Sequence, residues 1–561
     1  MEAATPGGTP DTCADTSSLE PPFRVSDLWR HLPRTVWLVV LLHVLVMLGQ
    51  TAVFPNIRAP DELKHFDLII SVDRGKALPW PDPGTLRVNQ GSSAGGFVPS
   101  GRLERRLALA DRPVAPRSER PSYNENGGDT PTGSINHMMQ HPPLYYLAGG
   151  AVLAVMGDWD DDPLDRVFVL LRWSNVLLLA PLPLLLFAMA RRLQLPEPAP
   201  IAASLFPLLV PELTRSGGSL NNDNLLILAG ALLALLLVRV LTGDASRRTA
   251  VWVGAVTTVA LLTKGLALVL PVWVAVAYAV ALYRTRSRSV LWSALLAGLV
   301  SFLGLAWWLR NTVVFGSVQP DGLRTEPRHL PVRFFWSDWG GAYIGRYAER
   351  MVTTFFVQDQ AGTRLHDATW WLARVTLVLM LIGILATLIL GVMRRVDALV
   401  MLLPTVLLAG LVAKGSWGAF ATTGVYTALQ GRYLYAGVTA MAVVALASLS
   451  RLPERLRRLI PFALLCLAVV IHAATTAKAL GLFWAPAGTS VRTWAGMREG
   501  VEALVRWYAL PPVVLVTLAI ATMLVMLVTS AELLRHSRQH AEPLTANLAG
   551  TGSSPGYPGA P

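Results

Sequence analysis

Residues 36–66 read VWLVVLLHVLVMLGQTAVFPNIRAPDELKHF, and this stretch decides the fold. Val36 to Val53 is unbroken by Asp, Glu, Lys or Arg. A helix needs about 20 mostly apolar residues to cross the hydrocarbon core of a bilayer. The run is that long with its flanks, so it predicts a membrane span. It ends directly into Asn56-Ile57-Arg58-Ala59-Pro60-Asp61-Glu62, where an acidic pair stands at the membrane surface. Ionisable groups at that depth are costly to keep and often functional.

The rest of the 561-residue chain repeats the first part of the pattern. Asn224 to Val238, Val251 to Leu262, Leu266 to Tyr283, Val290 to Leu309, Val375 to Val392 and Val513 to Val528 are further apolar runs separated by short basic links. The sequence predicts an all-helical polytopic membrane protein with roughly twelve crossings by the length criterion. They fall near 35–54, 166–190, 198–213, 222–241, 249–263, 266–284, 289–309, 369–391, 396–413, 432–449, 459–476 and 511–533. Composition agrees: 53% of residues are apolar and 15% charged, where a soluble domain carries about 25% charged residues.

The net charge of +12 would suggest nucleic acid in a soluble protein. Here the arginines sit at the ends of apolar runs, where the positive-inside rule puts them, and nucleic-acid binding is set aside. Cys13 and Cys466 are the two cysteines, too far apart in context for a metal-type spacing. The N-terminal region does not read as a cleavable signal peptide, because its first apolar run starts late and is long enough to span. Residues 1–34 and 535–561 read as disordered cytoplasmic tails, from their Gly, Pro, Ser, Thr and Ala content.

Sidedness follows from the basic clusters. Arg24, Arg30 and Arg34 precede the first span; Arg191/Arg192, Arg247/Arg248, Arg284/Arg286/Arg288, Arg394/Arg395, Arg451/Arg455 and Arg535/Arg538 follow later ones. All are cytoplasmic together if only one crossing lies between residue 140 and Arg191. Leu144 to Met156 is therefore expected to be a short juxtamembrane or re-entrant helix, since it is too short to span. Domain boundaries follow: a transmembrane module over 35–310 with an outer loop at 55–165, an outer loop at 311–368, and C-terminal helices over 369–534 with outer loops at 414–431 and 477–510. The termini are expected to be cytoplasmic and the long loops extracytoplasmic.

Within the first outer loop, Leu63, Phe66 and Ile70 fall on one helical stripe after Pro60, which predicts an amphipathic helix lying in the interface. Asp61 and Glu62 suit its first turn. They either merely start that helix or supply a catalytic carboxylate, and the local pattern leaves both open. The later part of the loop is long and polar enough for a lid. It ends in His137-Met138-Met139-Gln140-His141-Pro142-Pro143-Leu144-Tyr145-Tyr146, where the prolines fix a corner at His141.

Taken together, the Asp-Glu pair after the first span, the long loop, and His141-Pro142-Pro143-Leu144-Tyr145-Tyr146 resemble the GT-C glycosyltransferase superfamily. Ser219-Leu220-Asn221-Asn222-Asp223-Asn224-Leu225 resembles its outer Asn-Asp motif. Leu262-Thr263-Lys264-Gly265 is similar to the Thr-Lys-Gly turn of the aminoarabinose and mannosyl transferases. Trp307-Trp308-Leu309-Arg310-Asn311 resembles a Trp-Tyr-Leu-Arg-Asn segment, and Gln430-Gly431-Arg432-Tyr433-Leu434 a motif of a bacterial GT-C-like group of unknown function. The resemblance spans roughly residues 35 to 450 and lies in the order and sidedness of motifs that are individually weak.

That resemblance implies a membrane glycosyltransferase moving a sugar from a polyprenyl-phosphate carrier to a cell-envelope acceptor, a glycan, lipid or protein. By position, Asp61 would be the base, with Glu62 supporting it or joining it in holding a divalent cation, if one is used. Lys264, Arg310 and Arg432 would clamp the donor phosphate, with Arg215 and Lys414 as further basic residues near outer ends of spans. Snorkelling to lipid headgroups is the alternative for each cation. His65, His141, Tyr145, Asn222 and Asp223 would support the site; Asp223 either caps its helix or orients Lys264 or the acceptor. Trp307, Trp308, Trp336, Trp339, Trp370 and Trp371 form an aromatic belt or stack on sugar faces. A transporter or flippase of lipid-linked saccharide, or a non-catalytic envelope scaffold, are the competing classes. The mostly clean spans and the clustering of ionisable residues at one face favour the enzyme over the transporter.

Overall fold

The structure, a computed structural model, describes residues 32–93, 114–320, 322, 333, 335–356, 367–485, 490 and 493–539. Among them, nine helical segments are long and apolar enough to cross a membrane. The first, α1 (Arg34–Val53), starts after Pro33 and stops before Pro55. At 1.5 Å per residue its length is about 30 Å, the thickness of the hydrocarbon core.

The second span is a broken pair, α4 (Leu164–Leu179) and α5 (Leu182–Arg192), interrupted at Ala180–Pro181. Single spans follow: α8 (Asp223–Leu241), α10 (Leu270–Thr285) with its preceding 3-10 turn from Gly265, α11 (Arg288–Phe315), α14 (Arg395–Thr423), α15 (Tyr435–Ala447) with the 3-10 turns on either side, α16 (Glu454–Ala479), and α18 (Pro512–Gln539). The sequence's remaining three crossings are also helical. Most of 249–263 lies in α9 (Arg247–Leu261), and all but the last residue of 369–391 in α13 (Asp367–Leu390).

The third, 198–213, is not a clean span. It breaks into α6 (Ala199–Leu205), a 3-10 turn Phe206–Leu209, and α7 (Pro211–Gly217). Pro207 and Pro211 remove backbone donors and end each piece. Every residue from 198 to 224 is buried. Irregular backbone of this kind survives at membrane depth only when protein covers it.

The largest apolar cluster joins α5, α8, α9, α10, α14 and α15. At Gly230 of α8 the neighbouring helix α15 comes so close that a side-chain carbon would strike the Ala436 carbonyl. Small residues let membrane helices approach in this way, and the gain is van der Waals contact rather than water release. Buried tryptophans find backbone acceptors: Trp273 donates to Val400 O (2.7 Å) and Trp308 to Leu261 O (3.0 Å).

A second, smaller core lies in a layer at one end of the bundle. It contains α2 (Glu62–Asp73), a two-stranded antiparallel sheet of β1 (Arg87–Asn89) and β2 (Pro131–Ile135), and α3 (Leu144–Met156). Phe66, Ile69, Ile70, Tyr146, Leu153 and Phe168 pack in it. The expectation of an amphipathic helix lying in the interface is corrected here. From His65 to Val72 every residue of α2 is buried, Asp67 included, because the sheet and α3 cover the face that would otherwise meet headgroups. At 13 residues, α3 is a short helix as expected, about 20 Å long.

The layer is pinned to the C-terminal helices. Arg117 donates to Val505 O (2.7 Å), Tyr508 O (3.0 Å) and Leu510 O (3.2 Å), next to α17 (Trp494–Trp507). Arg120 donates to Arg506 O and Trp507 O and pairs with Asp165. The lid expected in the loop falls partly on residues 94–113, outside the described residues. So do 1–31 and 540–561 of the expected tails, while α18 runs on to Gln539. The expected loop 414–431 is shorter than the sequence suggests, because α14 continues to Thr423.

Candidate active site at the end of the bundle

Asp61 is the N-cap of α2, yet it does not cap. Its backbone is left-handed (φ +58°) and its carboxylate makes no cap hydrogen bond. Aspartate tolerates this region better than most residues, but the conformation is still uncommon and clusters at functional sites. The carboxylate is 43% exposed, and its nearest basic neighbour is His137, with Nε2 3.9 Å from Oδ1.

Glu62 is the opposite case. Its side chain is fully buried and held by four hydrogen bonds from three residues. Arg172 of α4 donates Nε to Oε1 (2.8 Å) and Nη2 to Oε2 (2.7 Å). Leu220 N donates to Oε1 (3.0 Å) and Ala59 N to Oε2 (3.2 Å). The remaining Arg172 donors go to the carbonyls of Thr51, Phe54 and Pro55, so the Glu62–Arg172 pair fastens together the end of α1, the start of α2 and, through Glu62, the turn before α8. With its oxygens engaged, Glu62 is a structural anchor and not an available base or metal ligand. Among the described residues, no three His, Cys, Asp or Glu side chains converge on a common point that could hold a metal ion.

The cationic part of the site comes from the Thr263-Lys264-Gly265 turn and the Gly431-Arg432 turn. Lys264 is extended (φ −159°) at the start of a 3-10 turn, and the short link leaves it 9% exposed. Its Nζ lies 2.6 Å from Asp223 Oδ1, and Arg432 Nε lies 3.5 Å from Asp223 Oδ2. Both cations sit over the Tyr433 ring, at 5.2 and 5.7 Å. Asp223 opens α8 but bridges cations there instead of capping. Asn221 Oδ1 accepts from Asp223 N (2.8 Å), and Asn222 Nδ2 reaches Thr263 O (3.4 Å). Two cations facing one carboxylate leave a net positive charge for an arriving anion.

His65 neighbours both parts: its backbone N–H donates to Asp61 O (3.0 Å), and the charges of Lys264 and Arg432 act on its ring. Its Nδ1 is 3.0 Å from the Tyr146 hydroxyl, and the rings stack at 5.8 Å. Burial first, and then the positive charges of Lys264 and Arg432, hold its pKa well below the ordinary imidazole value. His141 is also buried, and burial with Lys264 and His137 nearby lowers it in the same way. Both are therefore neutral imidazoles at neutral pH. Tyr145 points elsewhere: its hydroxyl donates to Asn175 Oδ1 (2.9 Å), an oxygen shared with Asn224 Nδ2 (3.1 Å).

Three expected cations stand apart from this cluster. Arg310 is exposed, over Trp307 (5.8 Å) and Phe315 (5.3 Å). Arg215 pairs with Glu212 one turn away within α7, both buried. Lys414 is exposed within α14 instead of at its end. Trp307 turns its ring toward Trp80 (6.4 Å), at the edge of the layer, whereas Trp336, Trp339 and Trp371 are exposed; the Trp370 side chain lies outside the described residues. A cavity of about 290 Å³ adjoins the Gly431 turn, lined by Arg346, Arg350, Tyr426, Ala428, Leu429 and Gln430.

The sequence reading did not single out Arg172, Lys64, His137, Tyr146 or Tyr433. Arg172 carried a readable signal, since an arginine inside an apolar span must be paired. Tyr146 and Tyr433 stand inside the quoted motifs but were given no role, and Lys64 and His137 carried no signal, because their contact joins segments 73 positions apart.

A family model described as "Predicted membrane protein (DUF2142)" matches residues 44–440. No curated protein matches the chain. Among solved structures, the chain is similar to ArnT from Cupriavidus metallidurans bound to undecaprenyl phosphate. Identity is 14% and the TM-score 0.40, covering 94% of this chain and 82% of that one. The apo form of the same protein gives 14% identity and a TM-score of 0.42, covering 90% and 78%.

Proposed function

We propose that this chain, which belongs to the DUF2142 family of predicted membrane proteins, is a glycosyltransferase that moves a sugar from a polyprenyl-phosphate carrier to an acceptor on the extracytoplasmic face. One observation carries the reading. An uncapped, half-exposed carboxylate at Asp61 and a buried two-cation cluster at Lys264 and Arg432 are both neighbours of His65, whose backbone N–H donates to Asp61 O (3.0 Å) and whose ring feels the charge of both cations.

Transfer needs a base for the acceptor hydroxyl and positive charge where the phosphate leaves. In this reading Asp61 takes the hydroxyl proton while the acceptor oxygen bonds to the sugar's anomeric carbon. The bond from that carbon to the carrier phosphate breaks, and its electron pair stays on the phosphate. Lys264 and Arg432 hold that phosphate, which competes with Asp223 for their donors. Arg432 grips it in the bidentate way open to a guanidinium. His65 and Tyr146 stand beside these groups as neutral, stacked rings, where a charged group would compete for the donor. The apolar end-walls of the spans hold the prenyl chain. The carboxylate of Asp61 is the group that a divalent cation would meet, if the reaction uses one.

A second reading has one observation in its favour. The broken, buried segment Phe206–Pro211, beside the Glu212–Arg215 pair, has the discontinuous character of transporter substrate sites. It would make the chain a transporter of lipid-linked saccharide.

The test is turnover of radiolabelled polyprenyl-phosphate sugars by membranes containing the protein, wild type beside Asp61→Asn. Sugar release or transfer by wild type, lost in the variant, supports the enzyme. Equal turnover removes Asp61 from the chemistry. Absence of turnover, with movement of lipid-linked sugar between leaflets, replaces the enzyme with the transporter.

A further inference from the structure

Asp61 has a neighbour that no motif marks. The His137 imidazole stands with Nδ1 2.7 Å from Lys64 Nζ and Nε2 3.9 Å from Asp61 Oδ1. An ammonium group only donates, so at this distance Nδ1 is the acceptor and the neutral ring carries its hydrogen on Nε2. A doubly protonated ring would set N–H against N–H. The hydrogen on Nε2 therefore faces the carboxylate.

The pair is held from behind by one buried amide. Asn136 Nδ2 donates to Lys64 O (3.0 Å) and to Asp67 Oδ2 (2.7 Å), and its Oδ1 accepts from Met138 N (3.1 Å). Asp67 in turn accepts from Asn89 N (2.8 Å), Asn89 Nδ2 (3.0 Å) and the Ser92 hydroxyl. Lys64 on α2 and His137 after β2 are thus locked to the same point, although 73 positions separate them.

We infer that His137 is a positioning residue for Asp61, set in the Nε2–H tautomer by Lys64, and that its N–H engages one carboxylate oxygen so that the other faces the acceptor hydroxyl. The inference rests on the reading of Asp61 as the base. The 3.9 Å gap is longer than a hydrogen bond, and a rotation of the half-exposed Asp61 side chain closes it. Such contacts are commonly long in unliganded sites and tighten around substrate. The proton taken from the acceptor stays on Asp61 until it leaves to water. His137 does not receive it, because Nε2 already carries hydrogen and Nδ1 is taken up by Lys64.

The test uses the full-length protein, labelled with ¹⁵N-histidine and reconstituted in phospholipid vesicles. Solid-state NMR distinguishes bare from protonated ring nitrogens, and His137→Gln assigns the His137 signals by their loss. The expected spectrum has a bare Nδ1 and a protonated Nε2. Lys64→Met should move the Nδ1 signal and Asp61→Asn the Nε2–H signal. A protonated Nδ1 in the wild type, or signals unmoved by both variants, overturns the inference. In the turnover assay His137→Ala should lower kcat about tenfold or more and leave KM within about twofold, as loss of orientation does. His137→Gln, whose amide can donate from near the Nε2 position, should recover most of it; equal loss in both overturns the role. If wild type transfers no sugar from any donor, the proposed function fails, while the NMR comparison still decides the Lys64–His137–Asp61 arrangement.

Discussion

Glu62 and Arg172 meet through two parallel hydrogen bonds of 2.8 and 2.7 Å, across 110 residues of sequence, in a place where neither side chain reaches solvent. The bond is between the acid that follows Asp61 and an arginine inside the second span. It separates two neighbouring carboxylates into different jobs, one holding the end of the bundle together and the other left open.

Glu62→Gln should therefore destabilise the protein, because it leaves the Arg172 charge buried without its counter-charge. Breaking a buried pair from one side costs about 3–5 kcal/mol. Asp61→Asn, at a half-exposed side chain with no cap bond, should change stability by less than about 0.5 kcal/mol. Thermal unfolding in detergent checks both. Equal midpoints for the two variants would contradict the division of roles.

Lys264 and Arg310 should differ in donor binding. Lys264 is buried beside Asp223 and Arg432, where a phosphate gains a charge-assisted hydrogen bond worth roughly 1.5–3 kcal/mol. Lys264→Met should weaken the binding of a polyprenyl phosphate by about tenfold or more. Arg310→Ala should alter it by less than about threefold, since an exposed charge is screened. Titration of the reconstituted protein with the lipid measures both, and an equal effect would place Arg310 in the clamp after all.

Acid should loosen the site. His65 and His141 have pKa values depressed first by burial and then by nearby positive charge. In the unfolded chain they titrate near pH 6.5. Below that value the unfolded state binds protons that the folded state refuses. The stability these two groups contribute is thus complete above about pH 6.5 and is lost as pH falls through their depressed folded values. Thermal midpoints between about pH 8 and pH 5 should fall more steeply for wild type than for His65→Gln/His141→Gln. Parallel curves would show that the two histidines are not buried as neutral rings.

Gly431→Ala should damage the site without touching a charged residue. Gly431 N donates to Thr354 Oγ1 (2.6 Å), and a side-chain carbon there would collide with Met351 O and the Phe355 backbone of α12 (Asp338–Phe356). Backbone cannot yield as a side chain does, so the turn carrying Arg432 must move. A shift of about 1 Å at a positioned group can cost on the order of 100-fold in rate. Loss of turnover with donor binding weakened as in Lys264→Met is the expected result; wild-type behaviour in both would mean that the turn tolerates displacement.

The sequence by itself determined the helical membrane fold, because run length and flanking charge are local properties that water and lipid impose on each segment alone. Val36 to Val53 becomes α1, and Leu144 to Met156 becomes a short helix, for that reason. Periodicity misled at α2, where the polar positions are buried too: a stripe shows which residues are apolar and cannot show what covers the other face. It also missed the break at Phe206–Pro211, where prolines in an apolar run were absorbed into a span.

The site divides the same way. Asp61, Lys264, Asp223 and Arg432 stand in recognisable short motifs and were named from them. Their pairing, the left-handed turn that frees Asp61, the engagement of Glu62 by Arg172, and the placing of His137 by Lys64 and Asn136 were decided only by the tertiary structure. Each of these is a contact between segments far apart in the chain or a backbone conformation forced by such contacts. Burial then makes the choice of partner strict, because a charge withdrawn from water must be matched by a specific group at a specific distance.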